Sequence, residues 1–130
     1  MIVGLGTDII DNRRIENTIK KFGLRFKKKC FLNNEINKSE KRLKQINFFA
    51  KRYAAKEACA KALGTGLARG VFWKDIEVYN NKYGKPKIKL HNKALSILNK
   101  NFNFPCKIEL SLSVEKHYSI ANVIIFKHEK

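Results

Sequence analysis

The order in which the chain changes character predicts an α+β fold. It opens on an apolar, strand-like stretch, passes through a middle section rich in helix formers, and ends in alternating or apolar runs separated by turn residues. A length of 130 residues with 44% hydrophobic content suits one compact core, so a single domain spanning residues 1–130 is expected. No internal repeat or low-complexity linker divides it.

Residues 1–8 read as a buried strand, with Gly4 and Gly6 permitting close approach of a neighbour and Asp8 at its end. From Asp11 the apolar positions Ile15, Ile19, Phe22 and Phe26 recur at helical spacing, and Gly23 kinks or ends that helix. A second helical stretch follows Asn33 and Asn34, either of which suits an N-cap. The clearest helix covers residues 45–63, whose second half is dense in strong helix formers, and Gly64 stops it. Residues 75–80 and 86–90 form a hairpin about the turn Asn81-Lys82-Tyr83-Gly84, and a short helix follows over residues 93–98. Residues 107–114 and 117–126 supply two more strands. The expected architecture is one antiparallel sheet packed with the long helix and the shorter ones.

The 28 basic residues outnumber 11 acidic ones, for a net charge of +17, and such a field draws polyanions or an acidic protein. Lysine and asparagine are abundant throughout, so compositional drift is an equally good source of the excess, and only local clusters carry information. No run of about 18 apolar residues is present, so no membrane span is expected. No basic segment precedes the apolar start, which argues against a signal peptide and for a soluble, intracellular protein. Cys30, Cys59 and Cys106 are odd in number and lack a paired CxxC, and His91, His117 and His128 lack metal-ligand spacing. Reduced packing cysteines and surface or strand-end histidines are expected.

Two acids stand out on their own. Asp8 ends an apolar strand where a carboxylate has no packing reason to sit. Glu57 lies among alanines, with Lys61 one turn on, although an ordinary i,i+4 ion pair explains that spacing as well. Gly64-Thr65-Gly66 closes a helix instead of opening one, the reverse of a P-loop, and a helix C-terminus repels anions. A phosphate there needs Lys61, arginines or a metal to overcome the dipole. Arg14, Lys21, Arg25 and Lys28 follow a basic stripe, equally suited to solvent or to an acidic partner, if the helix continues through Gly23.

Three segments, Gly4 to Ile9 with Arg14-Ile15, Arg52 to Gly66, and Ser111 to Ala121, in order across nearly the whole chain, resemble the holo-acyl-carrier-protein synthase family of 4'-phosphopantetheinyl transferases. Gly4-Leu5-Gly6-Thr7-Asp8-Ile9 with Arg14-Ile15 is similar to its opening signature. The block from Arg52-Tyr53-Ala54-Ala55-Lys56-Glu57-Ala58 to Lys61-Ala62-Leu63-Gly64-Thr65-Gly66 resembles its central motif, with Tyr53 for the usual Phe. Ser111-Leu112-Ser113 and His117-Tyr118-Ser119-Ile120-Ala121 resemble its last strand pair, with Val114 where many relatives have His.

The resemblance implies transfer of the 4'-phosphopantetheine arm of coenzyme A to a serine of an apo acyl carrier protein, releasing adenosine 3',5'-bisphosphate, in fatty acid biosynthesis. It implies Mg²⁺ held by Asp8 and Glu57. It places Lys61, Gly64 and Thr65 against the diphosphate and Arg52 on the nucleotide phosphates. Asp8, Glu57 and Lys61 become the catalytic set; the serine proton could leave to a metal-ordered water or to either carboxylate. Carrier proteins are acidic, so Arg14, Lys21 and Arg25 become a docking face. It further implies a cytoplasmic homotrimer with active sites shared between subunits, with neither nucleic acid nor membrane as partner. The alternative from another class is a small basic nucleic-acid-binding protein, suggested by the charge and by Phe26, Phe31, Phe48, Phe49, Tyr53 and Trp73 interleaved with it. No helix-turn-helix, zinc-finger or RNA-binding signature supports that alternative, and the rings sit at core-like spacing.

Overall fold

The computed structural model describes residues 1–128. Strand β1 (Ile2–Asp11) leads into four helices, α1 (Asn12–Phe22), α2 (Leu24–Cys30), α3 (Asn33–Glu40) and α4 (Gln45–Ala62). A 3-10 turn at Trp73–Asp75 precedes β2 (Ile76–Asn80), β3 (Pro86–Leu90), α5 (Asn92–Asn101), β4 (Cys106–Glu115) and β5 (Tyr118–Lys127). The α+β expectation holds, but the strands form two antiparallel sheets instead of one, ordered β1-β5-β4 and β2-β3. Pro86, which has no N–H to donate, opens β3, and α5 intervenes before β4, so the hairpin pairs only with itself.

β1 runs on past Asp8, paired with β5 as far as Asp11↔Tyr118, so Asp8 lies inside the ladder opposite Ala121. Nor is β1 buried on both faces. Gly6, Asp8 and Ile10 turn inward, while Leu5 and Ile9 point outward at 66% and 59% exposure, as an antiparallel sheet with one covered face requires. The covering element is α4. A methyl group at Gly6 would overlap the Ala58 carbonyl, and one at Gly4 the Ala62 carbonyl. Strand and helix backbones therefore touch along a seam of Gly4, Gly6, Ala58 and Ala62. Ala121, Val123 and Ile125 of β5 complete the floor under α4.

Local chemistry sets the helix ends. The Asp11 carboxylate accepts from the Arg13 N–H at 2.9 Å and starts α1, and Gly23, at φ 55°, ends it. Neither Asn33 nor Asn34 caps α3. Both lie inside it, and the Glu35 carboxylate instead accepts the Leu32 N–H at 2.8 Å. The N–H groups of Thr65 and Gly66 donate back to the Ala60 carbonyl, wrapping the C-terminus of α4.

A fully buried ion pair ties α3 and α4 to β2. The Lys56 Nζ lies 2.8 Å from Glu35 Oε1 and donates to the carbonyls of Trp73 at 3.0 Å and Ile76 at 2.6 Å. Glu35 Oε2 accepts the Val78 N–H at 3.0 Å. Every donor and acceptor is matched, the condition under which a buried pair holds a structure together. Of the aromatics that interleave with the basic residues, Phe26, Phe31, Phe49, Tyr53 and Trp73 belong to the same core, while Phe48 lies half-buried under Arg42 and Lys51. Phe31 and Phe49 pack at 5.2 Å, and Tyr53 stacks on Trp73 at 4.3 Å. Cys30 and Cys59 are buried and unpaired. Among the described residues, no helix is long and apolar enough to cross a membrane.

If the seam sets the strand-to-helix distance, Gly6→Ala will destabilise the fold by about 1–3 kcal/mol, as overpacking does. Urea unfolding checks this, and an unchanged midpoint would contradict it.

Candidate functional site

The seam delivers Asp8 to α4. Its carboxylate is 9% exposed, on the inward face of β1, two residues beyond Gly6. Glu57 and Lys61, one turn apart on α4, flank it. Lys61 Nζ donates to Asp8 Oδ1 at 2.9 Å and to the Thr7 carbonyl at 3.0 Å, so the lysine is drawn across to the strand. The Glu57 carboxyl lies against that of Asp8. Burial first, then the hydrogen bond and charge of Asp8, push Glu57 up to about 7, with Lys61 pulling the other way. Two carboxyls this close resist a second negative charge, and a cation between them removes the conflict.

Tyr53, one turn before Glu57, shares its helix face. Burial first, then the neighbouring Glu57 charge, push its hydroxyl up to about 12, so it stays neutral and can donate. α1 packs against α4, and the Arg14 charge reaches this hydroxyl.

Gly64 and Thr65 sit past the end of α4, lining a cavity of about 430 Å³ with Arg69, Lys93 and Lys100. Arg52 lies elsewhere. It is 4% exposed, donates to Asn80 Oδ1 at 3.2 Å, and lines a separate cavity of about 170 Å³ with Lys51, Asn80, Gly84 and Pro86. The nine positions between Arg52 and Lys61 put them about half a turn out of phase, at roughly 100° per residue. Its buried Nε has no hydrogen-bond partner among the described residues.

The basic stripe is partly rearranged. Arg14 and Lys21 line one groove of about 510 Å³, with Thr18 and Phe22 on its wall. Arg25 lines an adjoining groove of about 330 Å³ with Phe26 and Lys29. Lys28 turns instead to a cavity it shares with Lys74, because Gly23 separates α1 from α2 and the helical phase does not carry through. Asp8, Glu57 and Lys61 thus meet as expected from sequence, with Gly64 and Thr65 beyond the end of the helix that carries the last two. Lys29, Lys51, Arg69, Lys93 and Lys100 were not singled out, since basic residues at these spacings carry no signal. Tyr53 had one, its position four residues before Glu57.

The chain is similar to known proteins over nearly its whole length. Residues 4–121 match the family model of the 4'-phosphopantetheinyl transferase superfamily. A holo-acyl-carrier-protein synthase of Rhizobium meliloti is 46% identical over 125 residues, covering 96% of this chain and 90% of that protein. The crystal structure of the holo-acyl-carrier-protein synthase of Neisseria meningitidis superposes with a TM-score of 0.86 at 36% identity, over 98% of this chain and all of that one. That of Bacillus anthracis, in complex with coenzyme A (3',5'-ADP), has a TM-score of 0.77 at 35% identity over 96% of each chain.

With its carboxyl held up to about 7, Glu57 binds a proton in the folded chain over a window, from about 4.5 to about 7, where the unfolded chain has released it. Its contribution to stability is present at the acid end of that window and is lost as pH rises through it. In metal-free protein a carbon-detected NMR titration should find Glu57 titrating near 7, and Asp8→Asn should bring it down. A Glu57 that titrates like an exposed glutamate would refute the pairing.

Proposed function

The chain belongs to the 4'-phosphopantetheinyl transferase superfamily, and on that premise we propose that it moves the phosphopantetheine arm of coenzyme A onto a serine of an apo acyl carrier protein. The observation that carries this is the meeting of Asp8, Glu57 and Lys61 across the strand-helix seam. In the reaction the serine oxygen bonds to the β-phosphorus of coenzyme A while its proton passes to water or to one of the two carboxylates, the bond to the bridging oxygen breaks, and adenosine 3',5'-bisphosphate leaves. Phosphoryl transfer of this kind asks the protein to position the reactants and to neutralise charge.

The reading includes Mg²⁺ at Asp8 and Glu57. Their donors are hard carboxylate oxygens, two in number and crowded enough to hold Glu57 near 7, and Mg²⁺ is commonly held by one or two protein carboxylates with substrate phosphate completing its shell. When bound it supplies Lewis-acid charge neutralisation at the diphosphate. Lys61, with an exposed side chain on a flexible stem, can turn from Asp8 to the diphosphate. Gly64 and Thr65 lie against the same groups, where Arg69, Lys93 and Lys100 counter the negative end of α4. The Arg14, Lys21 and Arg25 grooves face the carrier protein, whose acidity matches them.

A homotrimer with shared active sites also belongs to this reading. Leu5 and Ile9, with Ile2 beyond them, leave an apolar stripe on the outer face of the sheet that a further copy of the chain would cover. Arg52 points away from Lys61, so the Arg52 cavity of a neighbouring copy would take the nucleotide phosphates while Asp8, Glu57 and Lys61 act on the diphosphate. The proposal places the enzyme in the cytoplasm and its product in fatty acid biosynthesis.

With coenzyme A, Mg²⁺ and an apo carrier protein, mass spectrometry should find the carrier heavier by one phosphopantetheine, and Asp8→Ala or Glu57→Ala should remove that shift while the circular dichroism spectrum is kept. No shift with the unaltered protein, where a known synthase succeeds, would sink the assignment. Mixing inactive Asp8→Ala with inactive Arg52→Ala, after partial unfolding and refolding together, should restore part of the activity. Continued inactivity in a mixed oligomer would argue that each site is built from one chain.

A further inference from the structure

The start of α1 is held by a buried polar chain that the transfer chemistry does not use. Asn12, its first residue, is 5% exposed, and Ser119 of β5 is fully buried. The Ser119 hydroxyl donates to Asn12 Oδ1 at 2.7 Å, and Asn12 Nδ2 donates to Asn47 Oδ1 of α4 at 3.3 Å. The Asn12 backbone N–H donates to the His117 carbonyl, in the turn between β4 and β5, at 2.6 Å. One side chain therefore joins α1, α4 and the sheet at a single point. An apolar residue would fill such a place without need of partners, whereas a satisfied polar network fixes one arrangement among many.

Its location gives that arrangement a use. Asn12 lies in sequence between Asp8, a member of the carboxyl pair, and Arg14, which lines the α1 groove, and α1 itself packs against α4. Asn47 is on the same helix as Glu57 and Lys61. These three side chains, with the Asp11 cap, hold the point at which α1 leaves β1 and so bear on where Arg14 and Lys21 stand relative to the reacting groups. We infer that Asn12 is a positioning residue for the carrier protein, aligning the α1 basic groove with the carboxyl pair through Ser119 and Asn47. This rests on the transferase reading only for the identity of the partner.

The experiment measures Asn12→Ala, Asn47→Ala and Arg14→Ala, and the double variant Asn12→Ala/Arg14→Ala, by turnover and by direct titration of apo carrier protein onto the enzyme. Asn12→Ala should raise the carrier KM and the carrier Kd by about fivefold or more while the coenzyme A KM stays within about twofold, the pattern of lost binding and not of lost transition-state contact. Asn47→Ala should shift them in the same direction by less, and Asn12→Asp, which keeps the Ser119 bond, should recover part of the loss. In the double variant the two effects should fall short of additive, because a misaimed Arg14 has less left to lose. Additive effects, an equal rise in both KM values, or a fall in kcat alone would overturn the inference. Should Asn12→Ala fail to fold, Asn47→Ala decides by the same criteria. An unaltered enzyme without turnover would defeat the transferase reading instead, while the carrier Kd would still test Asn12.

Discussion

The contact between the backbones of β1 and α4 governs everything else. Side chains normally hold a helix well clear of a strand, but Gly4 and Gly6 face Ala58 and Ala62 with almost nothing between them. At this separation a short carboxylate on the strand reaches a glutamate and a lysine on the helix without bending either element. Any larger residue in the seam would lift the helix and part the carboxyls. The small residues of α4 are thus as much a part of the site as the charged ones, although none of them touches a substrate.

α4 divides its circumference among several tasks. Ala58 and Ala62 meet the strand, Tyr53, Glu57 and Lys61 share the face turned to the proposed site, and Arg52 faces a separate cavity beside the β2-β3 hairpin. This division accounts for a helix that is buried on nearly every side yet carries four charged groups within ten residues of sequence. It also separates the two signs of charge. The acids lie at the seam, where they repel one another and are balanced by Lys61, while the cations gather at the grooves of α1 and α2 and around the end of α4. Opposite potentials arranged in this way can steer an acidic protein toward the acids without letting it bind there.

Much of this was legible from residue order alone. The strand-helices-strands plan, the length of α4 and the glycine stop after it follow from local propensities, and so were read within a few residues. The meeting of Asp8 with Glu57 followed from resemblance and not from spacing, because nothing local brings positions so far apart together. Local patterns failed where tertiary contacts decide. Glu35 overrode Asn33 and Asn34 at the start of α3, since a carboxylate also needed by Lys56 and Val78 was placed to take the Leu32 N–H. The outward half of β1 read as buried because its apolar side chains are real but face away from the single chain's core. Arg52 was set on the nucleotide phosphates by resemblance alone, and its separation from Lys61 by half a turn is something linear proximity on a helix does not show.

Lys56 and Glu57 are neighbours in sequence with opposite surroundings, one fully buried against Glu35 and the other turned to Asp8. A helix of alanines is smooth, and on its own could settle at several rotations with similar packing. The Lys56 ammonium has only one place where three acceptors wait for it, so it acts as a key that permits a single rotation of α4. A one-residue slip would bring Glu57 into that pocket, beside Glu35, and leave Ala58 facing Asp8. The ion pair therefore acts as an indexing device, and its value lies less in how strongly it holds the core than in which side of the helix it obliges the chemistry to occupy.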